Sequence, residues 1–87
     1  MRRFALACLV ILPAAPAQAA FPCDERWGER NAVYAEAGYC FRTVRAIKAF
    51  GNANCRYDGL RDVPLSARDR EKVADIVREE QRNGCRD

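Results

Sequence analysis

Three stretches of the chain place apolar residues at helical spacing, and the segments between them do not. From Asp24 to Ala37 the line Trp27, Asn31, Tyr34, Ala37 recurs every three or four positions, which predicts one face of an α-helix. Asp24 and Glu25 in its first turn suit the positive end of the helix dipole, and Gly38 supplies a left-handed stop. A shorter helix is predicted over Val44 to Phe50, with Thr43 as its cap and Val44, Ile47 and Phe50 on its inner face. Gly51 and Asn52 end it. The following stretch, NANCRYDGLRDVP, carries turn formers throughout and reads as a loop, with short extended pieces around Tyr57 and Val63. Ser66, with Asp69 three positions on, opens a third helix whose buried stripe is Val73, Ile76 and Val77. Asp69, Glu71, Asp75, Arg78, Glu79 and Arg82 decorate its other faces, and Asn83-Gly84 closes it.

The N-terminus follows a different rule. Arg2 and Arg3 precede an apolar run from Phe4 to Leu12, then Pro13 and small residues ending in Ala17-Gln18-Ala19. A charged start, a short apolar middle and an A-x-A site predict a secretory signal peptide over residues 1–19, leaving a single small domain over 20–87. The apolar run falls well short of the ~20 residues of a membrane-spanning helix, so no membrane span is expected. Cys8 lies too close to the N-terminus to serve as a lipid-attachment site. Loss of the two leader arginines lowers the formal charge from +3 to +1, which demands no strongly charged partner.

A core this small contributes only about 3–5 kcal/mol, so covalent support is expected. Cys23, Cys40, Cys55 and Cys85 remain after cleavage, an even number in an exported chain, which implies two disulfides. Cys23 and Cys40 flank the first helix, about 21 Å apart at 1.5 Å per residue, whereas bonded cysteines have Cα atoms about 5.5–6 Å apart. That pairing is excluded. Of the two arrangements left, Cys40–Cys55 with Cys23–Cys85 is favoured, because it closes a loop around the second helix and ties the start of the first helix to the end of the third.

Within RNAVYAEAGYCF, residues 30–41, the pairs Arg30-Asn31, Tyr34-Ala35 and Gly38-Tyr39, followed by Phe41, resemble the YARHG domain, a bacterial extracellular module named for its pentapeptide. Trp27 stands where that family carries an aromatic ahead of the Arg-Asn pair. The run to Phe50, the loop and the charged last helix follow the family's layout. Glu36 and Ala37 replace the Arg and His of the name, so no role of those two side chains carries over, and the family brings no established activity. Two readings of the motif stand side by side. Gly38 reverses the chain while Tyr34, Tyr39 and Phe41 pack over it and Asn31 satisfies turn backbone groups; or Arg30, Asn31 and Tyr34 line a small ligand pocket.

Catalytic chemistry has little to work with. The chain has no histidine, so a Ser or Cys nucleophile lacks its usual base; Thr43 and Ser66 serve as caps, and the cysteines as disulfides. Neither C-x-x-C spacing nor a calcium loop is present, so neither a metal nor a cofactor is expected. The carboxylate pairs Asp58 with Asp62 and Glu79 with Glu80 read as solvated surface charge. One asymmetry survives. Residues 37–57 hold Arg42, Arg45, Lys48 and Arg56 and no acid, and Arg42, Arg45 and Lys48, three apart, form a basic stripe on a helix. The stripe is an ordinary solvated face or a contact for an anionic envelope polymer, a lipid headgroup or an acidic protein. Nucleic acid fits poorly, since no aromatic residues are interleaved with it.

The sequence therefore predicts a mainly α, three-helix, disulfide-stapled domain exported to the periplasm or the medium. Its expected role is a non-catalytic interaction or accessory module of the bacterial envelope, with Arg30, Asn31, Tyr34, Arg42, Arg45 and Lys48 as candidate binding residues. A small secreted enzyme or an enzyme inhibitor is the alternative.

Overall fold

The computed structural model describes residues 20–86; the leader expected over residues 1–19 lies outside the described residues. Three α-helices follow in order, α1 (Cys23–Glu36), α2 (Val44–Phe50) and α3 (Ala67–Arg82), with a 3-10 turn at Leu60–Asp62 between the last two. No strand occurs among the described residues. Helix α1 packs against both α2 and α3.

Local chemistry sets most of the boundaries. Thr43 Oγ1 accepts the Ala46 N–H at 3.1 Å at the start of α2, and Ser66 Oγ accepts the Asp69 N–H at 3.0 Å at the start of α3, each satisfying an amide that has no partner inside its helix. Helix α1 begins one residue earlier than the pattern predicts, at Cys23, and has Pro22 rather than a side-chain cap ahead of it.

The end of α1 explains the YAEAGY run. Gly38 takes φ +98°, the Tyr39 N–H donates to the Tyr34 carbonyl at 3.0 Å, and the Gly38 N–H donates to the Ala35 carbonyl at 3.1 Å. These two bonds make a Schellman turn, whose usual apolar contact joins the residue after the glycine to the last helical turn. Tyr34 and Tyr39 supply it, with ring centroids 6.0 Å apart.

Beyond Gly38 the chain is held by the loop that follows α2. The Gly38 carbonyl accepts the N–H groups of Arg56 and Tyr57, and the Cys40 N–H donates to the Tyr57 carbonyl at 2.8 Å, giving an isolated parallel bridge between Tyr39 and Tyr57. The Cys40–Cys55 disulfide spans the same pair of segments. Asn52 adds a third tie: its Oδ1 accepts the Phe41 N–H at 2.7 Å and its Nδ2 donates to the Phe41 carbonyl at 2.9 Å. The extended piece expected near Tyr57 is this bridge, and Val63 is extended and buried.

Trp27, Phe41 and Ala46 form a buried cluster, with Tyr34, Ala35, Tyr39 and Phe50 packed around it. Phe50 lies 5.3 Å from Phe41, nearly parallel to it, and 6.0 Å from Trp27. The inner face expected for α2 is corrected here. Val44 is 73% exposed and Ile47 41%, whereas Ala46 is 3% exposed. Residues three apart drift around a helix, so Val44, Ile47 and Phe50 cannot all face inward, while Ala46 and Phe50, four apart, stay aligned. The small Ala46 side chain lets α2 approach the aromatic cluster.

Helix α3 buries Val73, Ile76 and Glu80, and Val77 is half-buried. Glu80 is the second correction, since the sequence reads it as surface charge. Arg30 meets it in a two-point fork, Nε to Oε1 at 2.8 Å and Nη2 to Oε2 at 3.1 Å. One turn away Arg26 bonds Glu79 and, within α1, Glu29 at 2.6 Å. The hydrogen bond to Glu29 and the charges of the two carboxylates raise the Arg26 pKa above its ordinary value. Cys23–Cys85, with Cα atoms 5.5 Å apart, closes this end of the α1–α3 contact. Both favoured disulfides are therefore the ones formed.

Candidate functional site

Helix α1 contributes Trp27, Arg30, Asn31 and Tyr34, in which Trp27 with Arg30 and Asn31, and Tyr34 with the same two, are three or four residues apart, the spacings that align side chains on a helix. Against this face lie Tyr39, Phe41, Arg42 and Thr43 from the segment after the Schellman turn, Arg45 and Ala46 from α2, and Leu60 from the 3-10 turn. Together they enclose a cleft of about 210 Å³. Its floor is aromatic and its rim carries arginine.

The Arg30-Asn31-Tyr34 corner thus meets part of the basic group, but Arg42 precedes α2, so Arg42, Arg45 and Lys48 do not form the single helical stripe expected of them. Arg42 and Arg45 belong to the cleft and Lys48 does not. Thr43 and Leu60, which the sequence reading does not associate with binding, complete the lining; Leu60 carries no local signal, because only the return of the loop brings it there.

The members differ in what already holds them. Asn31 is buried and its Nδ2 donates to the Trp27 carbonyl at 2.9 Å within α1, so it satisfies a helix carbonyl rather than the turn expected of it. Arg30 is engaged by Glu80. The Arg45 guanidinium carbon lies 3.8 Å from the centroid of a Trp27 ring, a cation–π contact, and its Nη2 meets Asp24 Oδ1 at 2.9 Å. Arg42 is exposed, and its contact with the Asp58 carbonyl is a long 3.5 Å. Of the arginines at the cleft, Arg42 is the most loosely held among the described residues.

The carboxylates do not converge on this cleft. Glu79 and Glu80 are tied to Arg26 and Arg30, and no cluster of acidic, histidine or cysteine side chains able to hold a metal occurs among the described residues. No described helix is long and apolar enough to cross a membrane.

Within the pentapeptide that gives the resembling family its name, Tyr34 and Gly38 build the turn, while Glu36 is exposed and Ala37 occupies the helix cap. The tyrosine and glycine of the motif are thus accounted for by backbone geometry, and the exposed Glu36 by no contact of that turn. Comparison with curated proteins and with solved structures returns no match. The family model for the YARHG domain matches residues 7–81, most of the chain, and the protein belongs to that family of small, often extracellular domains.

Proposed function

We propose that the protein is a non-catalytic interaction module of the bacterial cell envelope, exported and acting in the periplasm or outside the cell. The observation that carries this reading is the cleft: five of the six candidate binding residues line it, in the combination of apolar walls and a few polar groups that binding sites use. Two of its three arginines, Arg42 and Arg45, lie in the part of the chain without acids, which favours an anionic partner, either an envelope protein or an envelope polymer. The two disulfides suit an oxidising compartment. Carboxylates paired with arginines across a helix contact support a structural role for them rather than acid–base chemistry.

The test is retention of envelope components on the immobilised, oxidised protein at low and at high salt. Retention that weakens at high salt is expected, because exposed charges are screened. Absence of retention at either salt concentration would overturn the module reading.

A further inference from the structure

The cleft's size and surroundings narrow the kind of partner. At about 210 Å³ it is smaller than the ~300–1,000 Å³ of sites for drug-sized ligands. That is room for one bulky side chain. A longer ligand has to continue over the neighbouring surface, and that surface is not uniformly basic. Leu60, at the cleft's edge, is 47% exposed. A polyphosphate offers no apolar group to Leu60, and a polysaccharide offers the C–H faces of its sugars but does not supply a projecting side chain to fill a cleft of this size. A peptide does.

Charge supplies the second constraint. Arg45 already holds a carboxylate, that of Asp24, whose side chain is 94% exposed, so the rim accepts a carboxylate in a solvated position from which another can displace it. Arg42 is exposed and points a guanidinium fork suited to carboxylates with only one long backbone contact in its way.

We propose that the cleft takes an acidic peptide segment of a partner protein, seating one aromatic or large aliphatic side chain among Trp27, Tyr39 and Phe41 and placing the flanking carboxylates on Arg42 and Arg45. This rests on the binding-module reading. Leu60 covers the apolar part of the segment as it leaves the cleft.

The experiment is selection of a phage-displayed library of random heptapeptides on the full, oxidised protein, followed by titration of the enriched peptide. Trp27, the single tryptophan, lines the cleft and reports occupancy by its fluorescence. The expected result is enrichment of an aromatic or aliphatic residue flanked by Asp or Glu, with binding at least tenfold weaker for Arg42→Glu and within threefold of the parent for Lys48→Glu. Thermal melting of both variants shows whether they remain folded, and an Arg42→Ala variant with weakened binding serves if the reversal does not. Enrichment of carboxylate runs without an apolar residue would assign the patch to anionic polymers and overturn the proposal. So would neutral or basic sequences, no enrichment, or binding indifferent to Arg42. Because envelope retention needs no peptide ligand, retention with a failed selection removes this inference and leaves the module reading standing.

Discussion

Arg30 and Glu80 join α1 to α3 through two hydrogen bonds, and the side chains are only 15% and 9% exposed. Removing one member of such a pair leaves the other charge buried and costs about 3–5 kcal/mol, whereas an apolar replacement of both is often neutral. Glu80→Gln keeps shape and some hydrogen bonding, so about 2–3 kcal/mol of destabilisation is expected from it in urea unfolding. Combining Arg30→Met with Glu80→Leu should recover most of that loss. A loss in the double variant equal to the sum of the losses from Arg30→Met alone and Glu80→Leu alone would show that the pair is not coupled.

Two glycines should respond to alanine with opposite signs. Gly38 has φ +98°, and an added Cβ would lie 3.3 Å from the Tyr57 ring, so Gly38→Ala is expected to destabilise by about 1–2 kcal/mol. Gly28 lies inside α1 with nothing within 4 Å of the same added atom, and Gly28→Ala should stabilise by about 0.5–1 kcal/mol through helix propensity. Thermal denaturation of the two variants checks both signs.

The buried face of α2 gives a third contrast. Val44→Ser removes an apolar group that is mostly in water and should change stability by less than about 0.5 kcal/mol. Ala46→Leu forces extra volume against the ring cluster and should cost about 1–3 kcal/mol. A reversed order in chemical denaturation would restore the face that the sequence predicts.

Asn52 holds both backbone polar groups of Phe41. Asn52→Ala leaves a part-buried N–H and C=O without that partner, for an expected loss of about 1–3 kcal/mol. Faster hydrogen exchange at the Phe41 amide, with the exchange of α3 little changed, is the local signature.

The elements that the sequence reveals are those whose causes are local. Thr43, Ser66, Gly38 and Gly51 act within a few residues, and the helix limits they imply agree with the structure to within one residue. The disulfides follow because a straight helix excludes one pairing. Distant partners are invisible at that level. Glu80 reads as solvated charge because Arg30 lies 50 residues away, and Asn52 reads as a helix terminator because its grip on Phe41 needs the loop to return. In α2, seven residues make two turns with apolar groups on both sides, too short a run for periodicity to choose between them; contact with the aromatic cluster chooses Ala46 and Phe50. The cleft was likewise legible only as two separate groups of residues, since α2 must pack on α1 before Arg45 stands over Trp27.

All three helices lie between Cys23 and Cys85, which are 62 positions apart in sequence and 5.5 Å apart in space. Stretched out, that length of chain would span on the order of 200 Å at about 3.4 Å per residue. A pull applied to the chain on either side of the bridge passes through the sulfur–sulfur bond, and the helices, the Schellman turn and the cleft carry none of it. The domain behaves under tension as a short inextensible link, and reduction of a single bond turns that link into a tether.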